Sequence, residues 1–336
     1  MANGPPTPLA LDEVIDDRYR LVRELAAGGM GVVYEAEHLG LQKRVALKLL
    51  LSDVADVPGM AQRFEREARA TSRLDHEHVV RVTDFGRTAT GSPYIVMELL
   101  VGRSLGDVLE AEGRLAPART VAIGKQMLAG LGAAHEQGLV HRDLKPDNIF
   151  LCDRGEKVKV LDFGIAAFRG PQVATKLTRT GSVMGTPAYM APEQAMGRGE
   201  LDARTDLHAV GAMLYEMLAG HPPYLGENYN QILHAVLTGK PARLEEVRPG
   251  LAPSLYAAIA RALAPDPDDR FATAADFAAA LSGEIAAPAF RMPSKLAVTD
   301  LREPTATPAR AVAVAPTASY ALPTPAASPA AGVGSA

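Results

Sequence analysis

His141-Arg142-Asp143-Leu144-Lys145-Pro146-Asp147-Asn148 places a carboxylate, a cation and an amide at fixed offsets in one short stretch. Asp143 can accept the proton of an attacking hydroxyl. Lys145 can neutralise a phosphoryl group in transit, and Asn148 carries a neutral oxygen suited to Mg²⁺. Together these groups describe phosphoryl transfer from a nucleotide to an alcohol. The competing reading is a polar loop that holds these letters by chance. At roughly 1 in 20 per fixed position, it weakens with every further match.

Working outward, Asp162-Phe163-Gly164 follows after the segment Ile149 to Leu161. That segment reads as two strands around a turn at Asp153-Arg154-Gly155. Such a hairpin returns Asp162 towards Asn148, so the two can share metal ions. A second Asp-Phe-Gly, at Asp84-Phe85-Gly86, precedes the loop and has no partner Asn, so a structural role is expected for it. Upstream, Leu25-Ala26-Ala27-Gly28-Gly29-Met30-Gly31-Val32-Val33 reads as a glycine-rich turn between two strands. Glycines let backbone N–H groups approach phosphates, although such a turn is often only a hairpin. Val45-Ala46-Leu47-Lys48 reads as a strand with Ala46 and Lys48 on one face. Glu67, in the helical run Phe64-Glu65-Arg66-Glu67-Ala68, is the expected partner of Lys48, with Glu65 as its competitor.

In this order the pieces resemble the protein kinase family, from about Tyr19 to Leu281. Gly28-Gly29-Met30-Gly31-Val32-Val33-Tyr34 and Gly185-Thr186-Pro187-Ala188-Tyr189-Met190-Ala191-Pro192-Glu193-Gln194 resemble the bacterial eukaryotic-like serine/threonine kinases more narrowly. The resemblance implies an α+β, two-lobed protein kinase fold. Its N-lobe is small and β-rich with one main helix, and its C-lobe is larger and mainly helical. Asp206 matches an acid that anchors the catalytic loop from a buried helix. Arg270 matches the partner of Glu193.

The resemblance also implies roles. Lys48, held by Glu67, would bind the α- and β-phosphates of ATP. Asp143 would be the base and Lys145 would contact the γ-phosphate. Thr186 would hydrogen-bond near both, and Asn148 and Asp162 would hold Mg²⁺, with Mn²⁺ as an alternative. Leu25, Gly28, Gly29, Gly31, Val33, Ala46, Glu98, Leu100 and Phe150 would surround the nucleotide, with Glu98 and Leu100 at the hinge and Met97 as gatekeeper. For Val33, Ala46 and Met97, core packing alone would also account for an apolar residue. The activity implied is transfer of the ATP γ-phosphate to Ser or Thr hydroxyls of proteins, Lys145 favouring Ser/Thr over Tyr, with activation-loop autophosphorylation at Thr178, Thr180 or both. Two copies of the chain would pair for autophosphorylation in trans. Two residues depart from the pattern. Ala26 replaces the first glycine of the loop, and His208 stands where relatives usually carry an aromatic residue. Ala26 keeps open the alternative of a scaffold that binds nucleotide without efficient transfer. The retained Lys48, Glu67, Asp143, Asn148 and Asp162 argue against it.

Composition agrees. A chain of 336 residues, 47% hydrophobic, can bury a large core. The net charge of -4 gives no support for nucleic-acid binding. The single Cys152 excludes an intrachain disulfide and suits a reducing compartment. The eight His show no zinc spacing. No signal peptide and no run of about 18 apolar residues is evident, which implies a cytoplasmic protein or one cut short before a span.

The expected organisation is a flexible leader over 1–18, an N-lobe over 19–97, a hinge over 98–102, a C-lobe over 103–281 and an Ala/Pro-rich disordered tail over 282–336. The run from Asp206 to Leu218 is apolar nearly all round, the mark of a buried helix. The tail has few aromatic or charged residues and no period, so it can bury little. Removing residues from Ala287 onward should therefore leave thermal midpoint and kinase activity almost unchanged. A fall of several degrees in a thermal melt would show that the tail docks on the domain.

Overall fold

The β-strand alternation of the first hundred residues builds one twisted sheet. The computed structural model describes residues 11–28, 31–51, 55, 59–163, 187–197, 201–238 and 241–285, without the side chains of Arg63, Glu67 and Arg154. All of these fall in the first of the two units into which the chain divides, Met1–Pro293 and Ser294–Ala336. The strands are β1 (Val14–Ile15), β2 (Tyr19–Ala27), β3 (Gly31–His38), β4 (Lys43–Leu50), β5 (Val82–Arg87) and β6 (Pro93–Glu98), in the order β1-β2-β3-β4-β6-β5. Helix α1 (Met60–Thr71) lies between β4 and β5 in the chain. It buries Met60, Phe64 and Ala68 at helical spacing against Leu50, Val82 and Ile95.

The segment expected as a flexible leader over 1–18 is ordered where it is described. Val14 pairs with Arg20 and Ile15 with Tyr19, so β1 extends the sheet by one short edge strand. Ile15 is buried, Tyr94 donates to the Asp16 carboxylate at 2.9 Å, and Arg18 pairs with Asp84 at 2.6 Å. The pattern Val-Ile followed by three charges looks like solvated chain, and only the apolar slot against Tyr19 makes it a strand. Asp84 also accepts from the Tyr19 hydroxyl at 2.6 Å. The second Asp-Phe-Gly thus ties β5 to the sheet edge, away from the loop at Asp143.

Beyond β6 the chain turns helical. After β7 (Gly102–Ser104) come α2 (Leu105–Glu112) and α3 (Pro117–Glu136), then the hairpin β8 (Ile149–Cys152) and β9 (Lys157–Val160), which forms a second sheet in the order β7-β8-β9. The remaining helices are α4 (Pro192–Ala195), α5 (Ala203–Ala219), α6 (Tyr229–Thr238), α7 (Leu244–Val247), α8 (Pro253–Ala262) and α9 (Ala274–Ser282). Helix α2 opens on a capping box. The Ser104 hydroxyl accepts from the Asp107 amide while the Asp107 carboxylate accepts from the Ser104 amide, satisfying donors that a helix end leaves free.

Helix α5 is the axis of this lobe. Leu207, Val210, Met213, Leu214, Met217 and Leu218 are all fully buried, on several sides of the helix. Close approach is possible because Gly211 faces α8, where a β-carbon would stand 2.7 Å from that of Ala262. Among the described residues no helix is long and apolar enough to cross a membrane.

A buried charged pair packs against the start of this axis. The guanidinium of Arg270 is 2% exposed, and its five N–H groups meet five acceptors: two oxygens of Glu193 at 2.8 Å each and the carbonyls of Ala264, Arg204 and Pro265. Burial alone would push the Glu193 carboxyl up. The hydrogen bonds and charge of Arg270 outweigh it and hold the group below its ordinary value. Removing one partner of such a pair costs about 3–5 kcal/mol, because the other charge is left buried and alone.

His208, on α5, stacks on Tyr224 with ring centroids 6.2 Å apart, and neither ring nitrogen has a hydrogen-bond partner among the described residues. Burial, reinforced by the Arg270 charge, pushes its imidazole down from 6.5 to about 3. The folded protein keeps the ring neutral while the unfolded chain takes up a proton below about 6.5. Stability is therefore complete above that pH and is lost as pH falls towards 3. Phe at this position has no proton to gain. His208→Phe should gain about 2.5 kcal/mol relative to wild type at pH 4.5 compared with pH 7, read from denaturant midpoints at both pH values. Parallel pH slopes for the two proteins would refute this.

Candidate active site

The loop 140–148 has no regular structure until the 3₁₀ turn Pro146–Asn148, so side chains from elsewhere must hold it. The Asp206 carboxylate does this from the first turn of α5. One oxygen accepts from the His141 amide at 2.8 Å and from the His135 ring at 2.8 Å, and the other accepts from the Arg142 amide at 2.8 Å. Asp206 is 1% exposed, so these bonds are shielded from water. The His141 ring is buried, lies 2.7 Å from the Leu161 carbonyl and packs on Phe163, which suits a structural part.

Arg142 is held at φ +67°. Left-handed backbone is mild for Asp and Asn but costs a branched or bulky side chain more, and such strain persists only where surroundings enforce it. It turns the chain so that Asp143 follows directly. The Asn148 side chain donates to the Asp143 carbonyl at 2.7 Å. That bond commits its nitrogen to the loop and leaves its oxygen as the end able to meet a cation. Lys145 lies 3.4 Å from Asp147 and is half-buried.

The β8–β9 hairpin delivers Asp162 beside this loop, for the Leu161 amide donates to the Asn148 carbonyl at 2.9 Å. Asp162, at φ +57°, turns back towards the N-lobe and meets Lys48 at 2.8 Å. Lys48 is paired with Val33 on one side and Ile95 on the other, while Ala46 is paired with Met97. Paired and alternate residues share a face, so Val33, Ala46, Lys48, Ile95 and Met97 form one mostly apolar surface carrying a single amine. Lys48, Met97, Asp162 and Phe163 also line one small cavity.

Leu25 sits at an irregularity in the β2–β3 pairing and is 37% exposed. Gly28 and Gly31 exchange backbone bonds across the turn, at 2.9 and 3.3 Å. Gly31 has a packing reason of its own, since a β-carbon there would stand 2.3 Å from the Leu49 carbonyl oxygen.

Glu98 and Leu100 flank the start of the link between the lobes, and Phe150 lies half-buried in β8. Gly29, Thr186, Thr178 and Thr180 lie outside the described residues, as does the Glu67 side chain, although Glu67 itself falls in α1. Its competitor Glu65 is engaged with Arg87 at 2.7 Å.

Three further residues join the site without having been singled out from the sequence. His135 adds a ring to the Asp206 cluster. Lys159 reaches from β9 to the Glu98 carboxylate at 2.7 Å and the Val79 carbonyl at 3.1 Å, tying the hinge to the second sheet. Gln194 donates to the Arg142 carbonyl at 2.8 Å. Lys157-Val158-Lys159-Val160 announces a strand and gives no sign that one lysine turns inward.

The family model for the protein kinase domain matches residues 19–280. The chain belongs to the protein kinase family. It is 40% identical over 273 residues to serine/threonine-protein kinase pkn2 of Myxococcus xanthus, covering 80% of this chain and 32% of that protein. It is 38% identical over 284 residues to serine/threonine-protein kinase PknL of Mycobacterium tuberculosis, covering 84% and 70%. Among solved structures, the Mycobacterium tuberculosis PknI kinase domain superposes with a TM-score of 0.66 at 30% identity, covering 83% of this chain and all of that one. The chain spans only about a third of the length of the Myxococcus relatives pkn2 and Pkn1. It therefore carries a two-lobed protein kinase domain of the bacterial serine/threonine type, a family that uses ATP and a divalent metal ion and acts on protein substrates.

Proposed function

We propose that this chain is an active serine/threonine protein kinase that transfers the γ-phosphate of ATP to protein hydroxyls. The observation that carries the reading is the convergence of two held segments. Asp206 pins the loop bearing Asp143 and Asn148, and the hairpin bonded to that loop brings Asp162 to Lys48.

In this reading the face of Val33, Ala46 and Met97, with Phe150 opposite, takes the adenine, and backbone groups at Glu98 and Leu100 meet its edge. The N–H groups around Gly28, Gly29 and Gly31 cover the phosphates. Lys48, supported by Glu67, aligns the α- and β-phosphates. Asp162 and Asn148 offer oxygen, the donor that Mg²⁺ takes, and one or two protein oxygens suffice for an ion that keeps water and phosphate ligands. Mg²⁺, or Mn²⁺ in its place, supplies neutralisation of phosphate charge when bound. Asp143 orients the substrate hydroxyl and accepts its proton as the oxygen attacks. Lys145 steadies charge on the phosphoryl oxygens, with Thr186 beside it. A cytoplasmic setting belongs to the proposal, since ATP is there and the buried, free Cys152 suits a reducing compartment.

Regulation by autophosphorylation between two copies of the chain is the second part of the proposal. The Arg142 Nε is buried and has no hydrogen-bond partner among the described residues. An unmet buried donor costs about 1–3 kcal/mol. A phosphate on Thr178 or Thr180 would offer acceptor oxygens and about two negative charges to that guanidinium, ordering the segment.

Asp143→Asn keeps the shape and removes the base, so kcat should fall by about 10²–10⁴-fold while ATP affinity stays within a few-fold. Labelled ATP with Mg²⁺ and a generic basic protein substrate measures it. Near wild-type turnover would sink the assignment of Asp143, and a wild type that transfers nothing would sink the kinase reading. The Thr178→Ala/Thr180→Ala double mutant should lose autophosphorylation and about tenfold or more in activity, a change of about 1.4 kcal/mol in barrier. Mass spectrometry of active wild type decides the switch: full activity with neither threonine phosphorylated refutes it.

A further inference from the structure

Gln194 follows the Glu193 that pairs with Arg270, and both ends of its amide are used. Its carbonyl accepts from the Ala191 amide at 3.1 Å, capping α4, and its NH₂ donates to the Arg142 carbonyl at 2.8 Å. The orientation is forced, because a flipped amide would set NH₂ against the Ala191 N–H and oxygen against the Arg142 carbonyl.

The Arg142 backbone is thereby held on both sides of its α-carbon. Its N–H goes to Asp206 and its carbonyl to Gln194. The two holding residues are themselves linked, since Thr205, next to Asp206, donates to Glu193, next to Gln194, at 2.9 Å. Arg142, Asp206–Thr205 and Glu193–Gln194 thus close a ring of hydrogen bonds between the loop, α5 and α4. The segment Pro187–Tyr189 ahead of α4 is fixed to the same helix by the bond from the Tyr189 hydroxyl to Glu216 at 2.7 Å.

We propose that Gln194 is a positioning residue for phosphoryl transfer: it sets Asp143 relative to the segment 187–195 by fixing the carbonyl of the left-handed residue directly before it. The inference rests on the kinase reading for its effect on catalysis. Asp206 holds only the peptide before Arg142; the one after it, leading to Asp143, is held by a longer bond from the Asp143 N–H to His141 Nδ1 at 3.3 Å and by the shorter one from Gln194 to its carbonyl. With φ at +67°, a small rotation there swings the Asp143 side chain. Gln194 supplies the shorter of the two bonds that resist this rotation, without touching the residues expected around ATP.

The test uses the full chain with Gln194→Met, which keeps length and loses both bonds, and Gln194→Glu, which keeps the acceptor and loses the donor. Each should lower kcat for protein phosphorylation about 10- to 100-fold, the scale of a small misplacement of a reacting group. The Kd for ATP should stay within about threefold, and the thermal midpoint should change little. The Gln194→Glu defect, expressed as a ratio to wild type, should shrink as pH is lowered from 7 towards 5, nearer the ordinary Glu range, because a protonated carboxyl regains a donor for the Arg142 carbonyl. A purely structural contribution would not produce that recovery. Independently of activity, amide hydrogen exchange in peptides covering 140–148 should quicken about three- to tenfold in both variants, with α3 and α8 unchanged. Wild-type kcat in both variants, loss of ATP binding in step with kcat, or unchanged exchange at 140–148 would each overturn the proposal. A wild type without transfer would refute the kinase reading, and the exchange measurement would still decide whether Gln194 holds the loop.

Discussion

A buried carboxylate governs the centre of this molecule. Asp206 lies in a helix whose neighbours are leucine, valine and methionine, where an ionised group without partners would cost several kcal/mol. It is tolerated because two backbone N–H groups and a histidine ring converge on it. The consequence runs in both directions. The loop at 141–148 lacks regular hydrogen bonding of its own and takes its shape from Asp206, while Asp206 can be buried only because the loop supplies donors. Strain at Arg142 persists for the same reason, since the bonds on either side of it outweigh the cost of a left-handed arginine.

From that point order spreads through a few polar contacts rather than through the apolar core. The hairpin β8–β9 hangs on the loop through Asn148 and Leu161, and its far strand sends Lys159 to the hinge carboxylate of Glu98. On the other side, Arg270 and Glu193 hold the short helix α4 against α5. The two arrangements differ in kind. The Arg270–Glu193 pair is fully desolvated with every guanidinium donor met, so disrupting it is expensive. Ion pairs on exposed faces, such as Arg23 with Glu35, contribute at most about 1 kcal/mol each. The first sort sets the geometry of the site and the second decorates the surface.

The glycine turn illustrates how one residue can serve packing and ligand together. Gly31 is demanded by the Leu49 carbonyl, which leaves no room for a β-carbon, whatever binds above it. Ala26 lies in β2, paired with Val33, where a methyl group is accommodated in ordinary strand backbone. The departure from the three-glycine pattern thus falls at a position that the sheet tolerates.

Short motifs of chemically specialised residues were legible in the sequence: the loop at 141–148, Asp162, Lys48, the buried helix around Asp206 and the pair Glu193–Arg270. Their spacing is local and their side chains have few other uses. Alternation and helical periodicity also announced the β8–β9 hairpin and α5. The strand at Val14–Ile15 was not legible, because two apolar residues among charges become a strand only when Tyr19 and its neighbours offer an edge. His135, Lys159 and Gln194 were equally silent. An ordinary polar residue gains its role from the atom it faces, and those atoms lie 71, 61 and 52 positions away in the chain. The sequence by itself marked the residues to which the proposed chemistry is assigned. Tertiary structure alone decided which polar side chains hold them still, because a hydrogen bond depends on distance and direction between groups that only the folded chain brings together.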